Sequence, residues 1–129
     1  MTSSSNLDMD VVGRLTLYLL TRAVGGKPLV ATVIDTQEDP VLTLALHTTL
    51  HPGVDLALRR ARAALRTRRS TAYLARGGGG AEIEPGYRRV GAGGMPITFA
   101  ERMLGAIGVA GSEDDEEIAA QASLAPFGE

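Results

Sequence analysis

The 129-residue chain contains no cysteine, which excludes disulfides, thiolate metal sites and cysteine nucleophiles together. Tryptophan is missing too, and the aromatic complement is three tyrosines and two phenylalanines. A core must therefore be aliphatic, built on the abundant Ala, Leu, Val and Gly. Histidine occurs only as His47 and His51. Neither charge sign dominates: 13 Lys and Arg stand against 15 Asp and Glu, a net charge of −2. A general nucleic-acid binder carries a clear basic excess, so no nucleic-acid partner is expected. No apolar run approaches the roughly 20 residues of a membrane span, and "MTSSSNLDMD" lacks the basic n-region of a signal peptide. These absences predict a cytoplasmic protein without a membrane partner. No internal repeat is visible.

A chain of this length fits one domain. Residues 1–9 read as a flexible tail and 10–126 as the domain. "LDMDVVGRLTLYLLTRAV" places Val11, Val12, Leu15, Leu19 and Leu20 at helical spacing before the stop "GGKP". "LVATVID" (29–35) reads as a buried strand and "VLTLALH" (41–47) as its neighbour. The turn "TQEDP" is too short for a parallel crossover, so the two form a hairpin.

"PGVDLALRRARAALRTRRS" is the most strongly helical segment. Val54, Leu58, Ala61 and Leu65 share one face, and Leu56, Ala63 and Thr67 lie on a second beside Arg60. A second apolar face usually meets another subunit or a ligand. Arg59, Arg62, Arg66 and Arg69 form a stripe on a third flank. "ARGGGGAEIEPG" (75–86) reads as a mobile loop. "YRRVGAGG", "PITFAER" and "RMLGAIGVAG" read as three more strands. "SEDDEEIAAQASLA" opens with Ser112 as N-cap and Asp115 three residues on, with acids where the helix dipole favours them. The result is an α+β domain with a five-stranded, mainly antiparallel sheet and helices packed on it.

Three groups of residues could carry chemistry. His47 and His51 flank the junction between the second strand and the Arg-rich helix. An imidazole there suits general acid–base work or metal ligation, against a plain exposed loop position. Tyr73 and Tyr87 are alternative oxygen ligands or proton donors. The arginines suit carboxylate or phosphate, or else a solvated helix face bridged to the acids 113–117 of this or another subunit. Arg60 stands apart beside Leu56 and Ala63 as the best single anion-binding candidate. In "GAGGMPI", Gly93 and Gly94 allow backbone N–H groups close to a ligand, and Met95 and Pro96 follow as its exit. No Lys-Ser/Thr follows, so it is not a P-loop.

Four stretches together carry a family likeness: "LVATVID", "VDLALRRARAALRTRRST", "GGMPI" and "MLGAIGVAGSEDDEEIA". In this order and spacing, over residues 10–125, the chain resembles the GlcG/HbpS family of haem-binding or haem-degrading-type domains. Such domains also occur fused to corrinoid adenosyltransferases. The resemblance implies a five-stranded antiparallel sheet with packed helices, self-association as dimer, tetramer or octamer, and haem as the default cofactor. It also marks departures. "QED" (Gln37 to Asp39) stands for a "GGH"-like turn, and "ALHT" puts Ala45 and His47 in an "RMDG"-like run. "RARAA" puts Arg60 and Ala63 in "KARTA", and the first helix holds no His.

The leading expectation is a small-molecule binding protein whose ligand is planar or anionic. Its site would use Arg60, Tyr73, Gly93, Gly94, Met95 and Pro96, with His47 or His51 as metal ligand if haem is bound. The alternative is a compact cofactor-independent isomerase, lyase or cyclase acting on a carboxylated metabolite. There His47 or His51 moves a proton, Arg60 holds the carboxylate and the "GAGGMPI" amides stabilise an enolate. A structural subunit recognised through its Leu56–Ala63 face is the third class.

Overall fold

The computed structural model describes residues 7–48 and 51–128. Helix α1 (Met9–Arg22) leads into a hairpin of β1 (Leu29–Asp35) and β2 (Pro40–Leu46). Helix α2 (His51–Thr67) follows, then two short helices, α3 (Thr71–Ala75) and α4 (Pro85–Arg89). A second hairpin, β3 (Gly94–Phe99) and β4 (Arg102–Ala110), precedes α5 (Asp115–Leu124). All strand pairs are antiparallel, in the order β2-β1-β4-β3.

The α+β class and the antiparallel sheet are those the sequence predicts, but among the described residues four strands form rather than five. "YRRVGAGG" supplies α4 and a glycine turn instead of a strand. Pro85 presets the backbone angle of the first helical turn. Arg88 then donates to the carbonyls of Leu74 (2.8 Å), Gly78 (2.8 Å) and Gly80 (2.5 Å). The four-glycine run is thereby tied to α4. At the N-terminal end Asp8 caps α1 by accepting from the Val11 amide at 2.9 Å, and Met9 opens the helix.

Helices cover both faces of the sheet. On one, Leu15 and Leu19 of α1 join Ile118, Ala119 and Ala122 of α5 over Leu29, Ala31, Val33, Ile107 and Val109. On the other, Ala57, Ala61 and Ala64 of α2 lie over Val30, Ile34, Ala106 and Ala110. The central strands β1 and β4 are thus buried on both sides, which is why they read as unbroken apolar runs. The small residues let α2 lie at backbone distance. A Cβ on Gly108 would overlap the Ala57 carbonyl, and one on Gly94 the Arg60 carbonyl. Thr32, 2% exposed under α2, has no hydrogen-bond partner for its hydroxyl among the described residues. The border strands β2 and β3 each carry a proline, Pro40 and Pro96.

Helix α5 starts at Asp115 and its N-cap is Asp114, without a side-chain cap bond, so Ser112, the cap the sequence predicts, lies two residues before the observed one. The Ser112 amide donates to the Asp115 carboxylate (2.9 Å) and the Asp114 amide to the Ser112 hydroxyl (3.0 Å). The acids also form ion pairs across the domain. Asp115 meets Arg60 of α2 at 2.9 Å, Glu116 meets Arg76 at 3.0 Å, and Glu117 meets Arg22 of α1 at 3.6 Å.

Candidate ligand-binding site

Arg60 is used inside the domain. Its Nε donates to the Val90 carbonyl (2.7 Å), and its Nη1 donates to the Val109 carbonyl (2.7 Å) and the Asp115 carboxylate (2.9 Å). Both side chains of the pair are 13% exposed. Burial pushes the Asp115 carboxyl above its ordinary value, while the Ser112 amide and the Arg60 guanidinium pull it back. The Arg60 guanidinium also lies against Gly91 and Gly93. Gly94 donates its amide to the buried Thr71 hydroxyl at 2.8 Å, and the Gly93 carbonyl accepts from Val109 at 2.8 Å. Arg60, Gly93 and Gly94 therefore come together as a packed joint between α2 and the β3–β4 hairpin. On the second apolar face of α2, Ala63 is fully buried, while Leu56 and Thr67 stay partly exposed.

Tyr73, Met95 and Pro96 come together in a different place. They line a groove of about 480 Å³ along the free border of β3, with Arg68, Arg69 and Ser70 on one side and Thr98, Ser123 and Leu124 on the other. Local chemistry builds it. Arg68 takes a left-handed backbone (φ 59°), which ends α2 and turns the chain. Ser70 then caps α3 by accepting from the Tyr73 amide at 3.1 Å. The turn breaks the expected four-arginine stripe. Arg69 leaves it and lies over the Tyr73 ring, 5.3 Å from the centroid. Gly78, with no Cβ, backs the same ring. Met95 is partly buried against the main core, so the groove floor is continuous with it.

Arg59, Arg62 and Arg66 keep the stripe and line a second cleft, of about 320 Å³, with Gly86, Tyr87 and Val90 opposite. His47 is at neither place. It follows β2 in a left-handed conformation (φ 58°) and is exposed. Strands β2 and β3 are the opposite borders of the sheet. Three strand spacings put them roughly 14 Å apart, so His47 and the Gly93–Gly94 joint do not converge on one reacting group. His51 opens α2, and its side chain lies outside the described residues. Among the described residues no group of three or more His, Asp or Glu is placed to hold a metal ion, and no helix is long and apolar enough to cross a membrane.

A family model described as haem degrading protein HbpS-like matches residues 7–124. The chain belongs to the HbpS-like family. Solved structures agree in fold. HbpS from Streptomyces reticuli, as a double mutant, is 26% identical over all of this chain and 92% of its own, with TM-score 0.79. A PduOC structure described as a haem complex is 23% identical, with 95% of each chain covered and TM-score 0.78. ORFY of Klebsiella pneumoniae is 22% identical, covering 93% of this chain and 89% of its own, with TM-score 0.75. None of the curated proteins matches the sequence.

In this HbpS-like chain the departures from the family pattern fall at defined places. Glu38, within "QED", pairs with Arg66 at the 320 Å³ cleft. Ala45 packs on the Val30 cluster under the start of α2. Of the groove residues, Arg69 was visible only as part of the arginine stripe, and Leu124 carries no motif in the sequence. Tyr73, Met95 and Pro96 were legible as site candidates, because an aromatic and an apolar pair beside glycines look like a site on their own.

Proposed function

We propose that the chain binds a planar, anionic small molecule in the groove along β3, with haem the first candidate. The observation that carries the reading is the groove's composition. Apolar Met95, Pro96 and Leu124 and the Tyr73 ring offer a shelf for a flat ring system, and Arg68 and Arg69 sit where carboxylates would need cations. These residues fit haem. The Tyr73 phenol and the Met95 thioether are the potential iron ligands within the groove. Haem, when bound, would supply its iron chemistry, and this chain would supply the shelf, the cations and a ligand. Membership of the HbpS-like family and the haem complex of PduOC support the same reading. Self-association as dimer, tetramer or octamer belongs to it as well. Its support is the exposed Leu17 and Leu20 on α1, with exposed Val24 in the turn just beyond the helix.

The test is a haemin titration of the purified chain followed by absorbance. A saturable Soret shift at about one haem per chain is expected. It should change position in Tyr73→Phe or Met95→Leu, weaken in Arg68→Ala/Arg69→Ala, and persist in His47→Ala. A flat titration, or a shift abolished by His47→Ala alone, would refute the groove.

A further inference from the structure

The cleft between α2 and α4 has a chemistry of its own. Arg59, Arg62 and Arg66 project from one flank of α2 at i, i+3 and i+7. Two of the three are answered. Arg66 forks onto Glu38, with Nε to one carboxylate oxygen at 2.6 Å and Nη2 to the other at 2.7 Å. Arg59 donates to Asp55 at 3.0 Å. Arg62 is not. It stands 3.7 Å from a Glu38 oxygen already engaged by Arg66, and its Nε is buried without a hydrogen-bond acceptor among the described residues. A buried donor in that state costs free energy until an acceptor arrives.

Opposite, the Tyr87 hydroxyl accepts from Arg66 Nη1 at 3.1 Å, which leaves its own proton to donate. Val90, the Tyr87 ring and the arginine stems form the wall, and Gly86 leaves it open. The Arg62 guanidinium, a phenol and an apolar wall, with the two nearby carboxylates, Glu38 and Asp55, already engaged by Arg66 and Arg59, define an oxyanion receptor.

We infer that this cleft binds a small organic carboxylate, held by Arg62 and the Tyr87 hydroxyl with its apolar body against Val90. A planar carboxylate matches a guanidinium fork, and the wall favours an organic acid over inorganic phosphate. The site is independent of the β3 groove: the two share no residue.

The experiment titrates the full, haem-free chain with benzoate and separately with inorganic phosphate, following backbone amide resonances. Benzoate should saturate and shift Gly86, Tyr87 and Val90 while leaving Ser70 and Thr98 of the β3 groove in place. Phosphate should bind about tenfold more weakly or not saturate. Tyr87→Phe, which keeps the ring, should weaken benzoate about tenfold, and Arg62→Met should weaken it by about thirtyfold or more. Arg62 is 42% exposed, and its replacement leaves the core untouched. Unsaturable shifts, equal response to phosphate, or binding unchanged in both variants would each overturn the inference. Because the haemin titration reads the other groove, failure of one reading leaves the other standing.

Discussion

Replacing Arg60 by alanine probes the domain at its least replaceable polar contact. Three bonds disappear together, to the carbonyls of Val90 and Val109 and to the carboxylate of Asp115. Removing one member of a buried ion pair costs about 3–5 kcal/mol, because the other charge is stranded. Each side chain keeps 13% exposure, so some hydration reaches the stranded carboxylate, and a loss of about 3 kcal/mol is expected. With a urea slope of about 2 kcal/mol/M, that moves the unfolding midpoint down by about 1.5 M. The pH dependence has a definite sign. Burial already holds the folded Asp115 above its unfolded value, and loss of Arg60 removes one of the groups pulling it down. In the variant the native state therefore takes up a proton more readily, and the penalty is relieved as pH falls through the raised value. The deficit should be full at neutral pH and shrink at acid pH, as the raised value is approached. Adding Asp115→Asn to Arg60→Ala should restore part of it in a double-mutant cycle. Urea unfolding followed by far-ultraviolet circular dichroism at both pH values is sufficient. A neutral-pH loss below about 1 kcal/mol, or a deficit that grows toward acid, would refute the internal tie and return Arg60 to ligand duty.

Gly108→Ala should destabilise by about 3 kcal/mol or more, since its Cβ would meet a helix carbonyl that cannot step aside. Gly13→Ala, exposed in the middle of α1 with open space around it, should gain about 0.5–1 kcal/mol; paired thermal melts check both. Thr32→Val exchanges a buried hydroxyl that has no partner among the described residues for a methyl and should raise the urea midpoint, by an amount worth about 1 kcal/mol. The Arg66 hydrogen bonds hold the Glu38 carboxyl below its ordinary value, so their stabilisation is present above that ordinary value and is lost as pH falls through the lowered one. Glu38→Gln should flatten that part of the acid limb by under about 1 kcal/mol, the pair being partly exposed. An unchanged acid limb would show that the fork contributes nothing.

The elements with long, unambiguous patterns were legible from residues alone. "LVATVID" is the observed β1, and α1 and α2 fall within a few residues of their spacing. The segment 85–94 was not. Its Tyr-Arg-Arg-Val run favours a strand locally, but Pro85 and the reach of Arg88 to three carbonyls across the glycine run decide for a helix. The short α3 escaped notice because its signal is one residue, the Ser70 cap. The site was half visible. Spacing shows that Arg60 differs from its neighbours on α2, but which oxygens it meets depends on β4 and α5, dozens of residues away. The split of the arginine stripe turns on one left-handed residue, Arg68, that no periodicity announces.

An open antiparallel sheet ends in two rows of unsatisfied amides and carbonyls that invite a foreign strand to join. This one interrupts both rows with an imino acid, Pro40 on one side and Pro96 on the other. Pro96 also forms part of the floor on which a ligand would lie. An occupied groove would then shield the same border that the proline blunts. Loading with ligand and resistance to fibril-like stacking should rise together, and an empty chain carrying Pro96→Val should be the first to self-template.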